Sequence, residues 1–486
     1  MFGEKTIYDE INPENKNTVD ILLIGIKSIN EGKLNHFKFQ IWEKFHFACA
    51  TYENEWDFEQ YLRIALPFRE ITSYLFNQDE ETIYFSHEYM GIASCLAILL
   101  QPFPLEKTYF HAHEISTARA IIESIPCHDV AFYNFIEKDL QQQISLEDRY
   151  GNQNHLSRNA LLKLTTNFNG ILAVGDWVKK EYYYLIPDAP HDLVHITYNG
   201  LQTPSYSFKD KQKARKKIQN YCEKLFNYTP DIIMTHVTRL VVSKGIWRDI
   251  NLMEELDDKF TKNKLKGVLI ILSSLIGSGR TDEEILQMEK EYGWPILHQE
   301  GYPDLIDAEK DLYYMVHYFN AKYSSIKAVF INQFGFTTQR VGNRLSQGTT
   351  FADLRLASDA ELGMSIYEPF GIAQIETIPF GGIAILSRAC GSAFLLEKTF
   401  SNEEIKPYII LDFANLDPDH EHLNSIEHRT ALEKKYLQKN AFKIFKTLPK
   451  NDSERKKIFA VCKKNLPKLS WNEVIMDMPF MKKSLS

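Results

Sequence analysis

The sequence has few cysteines for its length, and they are not arranged as metal ligands or disulfide partners. Six occur among 486 residues, and none forms a Cys-x-x-Cys pair. Scattered cysteines of this kind are typical of reduced, mostly buried thiols. They lie at Cys49, Cys95, Cys127, Cys222, Cys390 and Cys462. The opening stretch, MFGEKTIYDEINPENKN, also lacks the apolar core of a signal peptide. We therefore expect a cytoplasmic protein.

Long apolar runs and a strong charge of either sign are missing as well. The longest apolar stretch, residues 91–100, is about half of the roughly 20 residues that a spanning helix needs, so no membrane span is predicted. The net charge of −8, from 56 basic and 64 acidic residues, argues against a nucleic-acid partner. A chain of this length with 44% hydrophobic residues is typical of two or more α/β domains.

The sequence is instead rich in short apolar runs that alternate with helical patterns. Near-continuous Val, Ile and Leu runs are typical of strands buried on both faces of a parallel sheet. The alternation predicts βα units and doubly wound sheets. The predicted strands are residues 19–26, 82–87, 107–113, 170–176, 193–200, 231–239, 267–274, 328–333, 362–369 and 382–388.

The series of predicted strands is interrupted at residues 203–230. This segment contains the basic run KDKQKARKK, which we interpret as a solvated helix face, with a binding patch as the alternative. Strands on both sides predict two Rossmann-like domains, residues 1–205 and 225–469, that face each other across a cleft. Ligands of such sheets bind outside the carboxyl ends of the strands.

Charged residues and histidines follow four of the predicted strands. His87 and Glu88 end one strand, and His113 ends the next, with Arg119 six residues later. In the second half, Arg239 and Lys244 follow one strand and Glu368 follows another. Each residue alone could be a satisfied core or surface group. Taken together, they predict an anion-binding cleft.

The segment SIYEPFGIAQIE, residues 365–376, carries the most specific local pattern. Pro369 and Gly371 interrupt regular structure, so Glu368 should lie on a turn. A helix that begins at Ile372 would leave free N–H groups that favour an anion. A carboxylate beside such a terminus could bind sugar hydroxyls and phosphate. The alternative is a plain strand–turn–helix connection with Glu368 and Glu376 both solvated.

The sequence gives little support to a metal site. His111 and His113 could be ligands, but no third ligand lies at a useful spacing along the chain. No Asp-x-Asp motif follows a predicted strand. We therefore predict neither a metal nor another cofactor.

In order along the chain, these segments resemble those of retaining GT-B glycosyltransferases of the glycogen/starch synthase kind, nearest to the UDP-glucose-using glycogen synthases. YFSHEYMGIASCL resembles His-Glu-Trp-Leu-Ala-Gly, and FHAHEISTARA resembles Thr-His-Ala-Thr-Leu-Leu-Gly-Arg. RLVVSKG matches Arg-x4-Lys-Gly, and YEPFGIAQIE matches Tyr-Glu-Pro-x-Gly with the Glu-x7-Glu spacing. RACGSAF resembles the following glycine loop, and LSWNEV resembles the start of the last helix. The similarity runs from about residue 80 to residue 476.

The resemblance implies four catalytic residues. Arg239 and Lys244 would bind the donor diphosphate and neutralise the leaving nucleotide. Glu368 would hold hydroxyls of the transferred sugar, and His113 would lie beside the anomeric carbon. The leaving phosphate would take the acceptor proton, so no dedicated base is expected.

The resemblance also implies substrate-binding residues. Amides after Gly371, beginning at Ile372, would contact sugar or phosphate, and Glu376 would fix the ribose. Arg119 would support the phosphate side, and Glu88 would face the acceptor. In this fold the N-terminal domain lies on the acceptor side, and the C-terminal domain binds the nucleotide-sugar. A C-terminal helix, here residues 470–486, crosses back to the N-terminal domain.

The implied function is transfer of a hexose, with glucose expected, from a donor such as UDP- or ADP-glucose to a saccharide acceptor. The pattern is also compatible with a homo-oligomer. Two alternatives stay open. One is another retaining GT-B glycosyltransferase with a non-glucan acceptor. The other is a non-catalytic relative that binds a nucleotide-sugar or a glycan.

The sequence departs from the family in two places. The first departure motivates the non-catalytic alternative, and the second leaves the role of residues 334–360 open. The early Lys-x-Gly-Gly loop is absent, and only Gly25 and Gly32 stand in its place. Either the loop is replaced or the first βα unit is missing. Residues 334–360 match no part of these synthases. Arg340 and Arg344 there could bind a ligand, but a polar insertion is the preferred interpretation.

Overall fold

The computed structural model describes residues 2–8, 16–124, 128–276, 281, 283–284, 287, 290–291, 299–300, 305–414, 416 and 425–484. Its strands are β1 (Phe2–Tyr8), β2 (Lys16–Leu22), β3 (Thr82–His87), β4 (Glu106–Ala112), β5 (Gly170–Ala173), β6 (Val194–Ile196), β7 (Ile232–Val237), β8 (Gly267–Leu272), β9 (Gln299–Glu300), β10 (Ile326–Ile331), β11 (Ala360–Gly363), β12 (Ile383–Ser387) and β13 (Tyr408–Leu411).

The α-helices of the described residues are α1 (Glu31–Phe45), α2 (Trp56–Leu75), α3 (Ile92–Leu100), α4 (Ser116–Ser124), α5 (His128–Gln141), α6 (Leu146–Tyr150), α7 (Ser157–Lys163), α8 (Asp176–Leu185), α9 (Phe208–Phe226), α10 (Ile246–Lys262), α11 (Ala308–Lys322), α12 (Thr338–Val341), α13 (Phe351–Ala357), α14 (Ile372–Ile375), α15 (Ser392–Thr399), α16 (Ile426–Thr447), α17 (Asp452–Asn465), α18 (Trp471–Met476) and α19 (Pro479–Ser484). Short 3-10 helices include Tyr89–Gly91, Val242–Lys244 and Ile378–Phe380.

The chain divides into two compact units. The first comprises Met1–Ile121, Phe135–Tyr198 and Met478–Ser486, and the second comprises Ile122–Asn134 and Asn199–Asp477. The first unit contains a four-stranded parallel sheet in the order β3-β4-β5-β6. Its central strands are buried along most of their length, as expected for a parallel sheet.

The C-terminal residues contribute to the first unit. Phe480 in α19 contacts Phe85 and Tyr109 with ring centroids 5.6 and 5.4 Å apart. Phe85 and Tyr109 are paired across β3 and β4, so this aromatic contact packs α19 against these two strands.

The first predicted strand does not belong to the parallel sheet. Residues 19–26 were predicted as a buried strand, but β2 ends at Leu22 and pairs antiparallel with β1 in a separate two-stranded sheet. Within the described chain, the parallel sheet of the first unit starts at β3. Gly25 and Gly32 therefore follow a hairpin strand, not a strand of that sheet.

The second unit contains a seven-stranded sheet in the order β13-β12-β11-β7-β8-β10-β9, in which all pairs are parallel. All six residues of β8 are buried, which explains why its sequence is apolar without alternation. The prediction of two α/β domains with parallel sheets is confirmed.

The basic run in α9 is not the solvated face that the sequence predicted. Lys211 is 1% exposed, and its Nζ donates to the carbonyl oxygen of Leu356 at 2.9 Å. Arg215 is also buried and forms an ion pair with Asp359 at 2.7 Å. These two cations satisfy buried acceptors where α9 packs against α13. The prediction of a solvated face is wrong for both residues.

The prediction of a polar insertion at residues 334–360 is wrong as well. Phe336 and Val341 are fully buried, and Arg355 is 1% exposed. The segment forms α12, α13 and part of the core of the second unit.

Five of the six cysteines, all except Cys127, are buried and unpaired. Cys127 lies outside the described residues. None of the helices in the described ranges is long and apolar enough to cross a membrane.

Candidate functional site

The carboxyl ends of β7 and β11 bring Lys244 and Glu368 together. Lys244 ends a short 3-10 helix after β7, and its Nζ forms an ion pair with Glu368 Oε2. The two residues are only 8% and 9% exposed. Gln374 Nε2 donates to the same carboxylate oxygen at 3.0 Å. The structure therefore joins two of the predicted residues and adds Gln374, which the sequence analysis missed.

The turn that carries Glu368 rests on a second loop. The N–H of Gly391 donates to the carbonyl oxygen of Glu368 at 2.9 Å, and the N–H of Ser392 donates to that of Phe370 at 2.7 Å. A Cβ at Gly391 would come within 2.9 Å of the carbonyl carbon of Pro369 and still closer to its oxygen. Gly391 is thus required by the close approach of the two backbones.

Gly371 allows the chain to turn from Glu368 into α14. Its φ of +87° lies in the region that glycine tolerates best. The helix that follows begins at Ile372, as the sequence predicted, and covers only Ile372–Ile375. The side chain of Ile372 is partly exposed.

Glu376 lies at the end of α14 and is bound by a buried arginine. Arg355 Nη2 donates to Glu376 Oε2 at 2.7 Å, and Arg355 Nη1 is 2.9 Å from Glu361 Oε2. The Glu376 side chain is still 41% exposed. Together with the burial of Glu368, this contradicts the alternative in which both glutamates are simply solvated. Arg355 belongs to the segment read as a polar insertion, which is why it was missed.

Arg239 follows β7 and is exposed. Within the part of the chain that the structure describes, its guanidinium forms no ion pair. It differs in this respect from Lys244, whose charge is already balanced by Glu368.

A buried arginine supports the backbone that leads to Glu368. Arg248 is fully buried; its Nη1 donates to the carbonyl oxygen of Met364 at 2.8 Å, and its Nη2 lies 2.7 Å from Glu433 Oε1. Burial alone would raise the pKa of Glu433, but Arg248 and Arg429 outweigh it and lower this pKa to about 2. Glu433 is therefore ionised and fixes Arg248 beneath the loop.

In the first unit, three histidines lie at the carboxyl ends of β3 and β4. His87 is paired with His111 in the parallel register, and His113 follows His111 by two residues, so all three can share one face of the sheet. His87 Nδ1 and His113 Nε2 are 2.9 Å apart. The ligand nitrogens of all three lie within 4.8 Å of one another. His87 is a third candidate ligand, which the sequence analysis missed because it considered spacing along the chain only.

Burial favours the neutral form of His111 and His113. It lowers the pKa of His111 to about 3, with smaller contributions from His113 and His87. Burial and His87 lower the pKa of His113 as well. Aligning the carboxyl ends of the predicted parallel strands 82–87 and 107–113 could have placed His87 beside His113 and close to His111 from the sequence.

Glu88, Glu114 and Arg119 lie beside His113. Glu88 has a φ of +57°, and its carboxylate accepts the N–H of Glu114 at 2.8 Å. Arg119 forms an ion pair with Glu114. Burial, followed by the charge of Glu114, raises the pKa of Glu88 to about 8. The predicted residues of the first unit thus form a single cluster.

Comparison with known proteins identifies the fold. No protein-family model and no curated protein matches the chain. A trehalose-6-phosphate synthase solved in a study of glycosyl transfer with retention matches with a TM-score of 0.51 at 11% identity, covering 99% of this chain and 90% of that chain. The UDP-forming α,α-trehalose-phosphate synthase of Burkholderia xenovorans, in complex with glucose-6-phosphate, matches with a TM-score of 0.52 at 12% identity, covering 100% and 90%.

The fold is GT-B. This fold was predicted from the sequence, and it is confirmed. At 11–12% identity the similarity establishes the fold and not the activity.

Proposed function

We propose that this GT-B chain is a retaining glycosyltransferase that transfers a hexose from a nucleotide-diphosphate-sugar to a saccharide acceptor. The observation that carries the proposal is the buried group of Lys244, Glu368 and Gln374 at the carboxyl ends of parallel strands. A cation, a carboxylate and an amide in one buried place can bind a phosphate and the hydroxyls of a sugar together.

The second unit would bind the donor. Arg239 and Lys244 would neutralise the negative charge that develops on the diphosphate as the glycosidic bond breaks. Arg239 offers a planar fork for two oxygens, and Lys244 offers a point charge. Glu368 would accept hydrogen bonds from sugar hydroxyls, and Glu376 would hold the ribose through its exposed oxygen.

Binding of a diphosphate would change the partner of Lys244. In the structure Glu368 balances the charge of this lysine. A phosphate oxygen near Lys244 Nζ would share the cation, leaving a Glu368 oxygen free for the sugar. Gln374 would keep the carboxylate oriented during this exchange, because it donates to the same oxygen.

The first unit would supply the remaining residues. His113 would position the reacting sugar, Arg119 would support the phosphate side, and Glu88 would bind the acceptor. Proton transfer from the acceptor to the leaving phosphate would need no further base. We further propose that glucose is the hexose, that no metal is needed for the transfer, and that the protein is cytoplasmic.

The acceptor is the least constrained part of the proposal. The sequence motifs favour a glucan, as in glycogen synthases. The structural similarity favours a small sugar phosphate, since the matching trehalose-phosphate synthase was solved with glucose-6-phosphate. We therefore propose a saccharide acceptor and would test both classes side by side.

Donor hydrolysis and transfer with UDP-glucose and ADP-glucose test the function. We expect release of the nucleoside diphosphate from one donor, faster with glucose-6-phosphate or an oligoglucan present, and lost in Glu368→Gln. Donor binding without turnover would instead support the non-catalytic relative. If the protein neither binds nor turns over either donor, the proposal is overturned.

A further inference from the structure

Three imidazoles meet at one edge of the sheet of the first unit. His87 comes from β3, and His111 and His113 come from β4 and the residue after it. The ring centroids of His111 and His113 are 4.2 Å apart, and those of His87 and His113 are 5.2 Å apart. The parallel register of β3 and β4 fixes the backbone positions of His87 and His111 side by side.

The spacing of the nitrogens suits a small divalent ion. Zn–N bonds of about 2.0–2.1 Å in a tetrahedral site hold ligand nitrogens roughly 3.4 Å apart. The ligand atoms of the three histidines lie within 4.8 Å of one another, and two are only 2.9 Å apart. Small rotations of the rings would bring all three to one ion. Three imidazoles also leave one coordination position for water or a ligand.

A second observation points to the same place. His111 is 7% exposed, and its Nε2 is buried without a hydrogen-bond partner among the described residues. A buried ring nitrogen without a partner has lost its interaction with water and gained none in return. Coordination of an ion would satisfy this atom.

We propose that His87, His111 and His113 form a binding site for a divalent transition-metal ion of the Zn²⁺ class. Imidazole ligands favour Zn²⁺, Cu²⁺, Ni²⁺ and Co²⁺ over Mg²⁺ and Ca²⁺, which prefer oxygen. The three histidines belong to the first unit, whereas Arg239 and Lys244, which are assigned to the donor, belong to the second; the ion is not proposed to take part in transfer.

One consequence for activity rests on the proposed function. A bound ion would occupy the nitrogen of His113 and remove this residue from its role beside the sugar. Zn²⁺ is then expected to inhibit turnover, and a chelator to restore it. In His87→Ala, Zn²⁺ is expected to inhibit turnover less than it does in the wild type.

Metal titration tests the site without any need for turnover. Untagged full-length protein is stripped with a chelator, desalted and titrated with Co²⁺, whose visible absorption reports tetrahedral nitrogen coordination, and with Zn²⁺ by calorimetry. We expect one ion per chain. His87→Ala should weaken binding by roughly 100-fold or more, because even the loss of an indirect contact to a ligand costs about 10–100-fold.

Matched variants make the outcome decisive. His87 is exposed, and His87→Gln provides a second, polar replacement; circular dichroism checks that both stay folded. His155→Ala, which removes an exposed histidine of the same unit, should bind as the wild type does. Wild-type affinity in folded His87→Ala and His87→Gln, or no Co²⁺ absorption in the wild type, would overturn the proposal. Zn²⁺ binding by a protein that turns over neither donor would support the site while refuting the proposed function.

Discussion

At the scale of single residues, the two proposed diphosphate ligands differ in what they do for stability. Lys244 is buried against Glu368, whereas Arg239 is exposed. Removing one member of a buried pair leaves the other charge without compensation and costs about 3–5 kcal/mol. The effect of Lys244→Ala would therefore mix folding with catalysis. Arg239 offers the cleaner test of the phosphate role.

We expect Arg239→Ala to lower kcat by roughly 10²–10³, because one lost preorganised contact to developing charge costs about 3–4 kcal/mol. Its thermal melt should match that of the wild type. Lys213→Ala, which removes another exposed cation of the second unit, is the control and should leave kcat unchanged. Near-normal turnover in Arg239→Ala would remove the diphosphate role of this residue.

The support beneath the loop gives a prediction for stability. Arg248→Ala would leave the carboxylate of Glu433 buried with less compensation and the carbonyl oxygen of Met364 without this donor. We expect a loss of about 3–5 kcal/mol in the free energy of unfolding, measured by urea denaturation.

The same helix contains a matched control for Arg248. Lys262 pairs with Asp258 across an i,i+4 spacing, and both side chains are mostly exposed. Exposed pairs contribute about 0–1 kcal/mol, so Lys262→Ala should change stability very little. Equal losses in the two variants would contradict the structural role of Arg248.

At the scale of elements, the sequence predicted the buried strands well because burial on both faces leaves a clear apolar run. β8, whose residues are all buried, begins at the predicted residue, and the equally buried β12 lies within its predicted range. The run at residues 19–26 misled the prediction, because hydrophobicity alone does not distinguish a hairpin strand from a parallel one. Lys211 was predicted to be solvated because it lies in a basic run, but it is buried. Its partners are carbonyl groups far along the chain, which no local pattern reveals.

The candidate site was partly predictable because the predicted strands show where their carboxyl ends lie. The rule that ligands bind at carboxyl ends of strands pointed to Lys244 and Glu368, which are 124 residues apart in sequence and in contact in the structure. The partners of Glu376 and His111 were not predicted. Arg355 lies in a segment without a family counterpart, and His87 meets His111 only through strand register.

The contact between the Glu368 turn and the Gly391 loop gives a prediction at this scale. Gly391→Ala would place a methyl group against the carbonyl of Pro369, so the turn must move away from the loop. We expect kcat to fall by at least about tenfold, because displacement of a catalytic group by about 1 Å can cost 10²-fold. Gly25→Ala, where a Cβ meets nothing within 4 Å, should leave kcat unchanged. Normal activity in Gly391→Ala would show that the turn does not depend on this contact.

At the scale of the whole molecule, the proposed residues are distributed over both units. The second unit carries the predicted donor residues, and the first carries His113, Glu88 and Arg119. The fold could be recognised from ordered motifs because they mark strand ends, which the fold keeps constant. The acceptor could not be predicted from the sequence, because acceptor selectivity depends on loops and side chains that vary between enzymes of one fold.

The last prediction concerns metals and the transfer reaction. Many enzymes that break a bond to a diphosphate use a divalent ion to neutralise the charge that develops on it. In the proposed function Arg239 and Lys244 would supply fixed cations for the same purpose, so transfer should proceed in EDTA at the rate found with added Mg²⁺ or Mn²⁺. Initial rates measured with untagged protein in the three conditions check this expectation. Loss of activity in EDTA that Mn²⁺ restores would show that the two cations are insufficient. Inhibition by Zn²⁺ alone, relieved by EDTA, would not conflict with it, because that ion is proposed to act at His113 and not at the diphosphate.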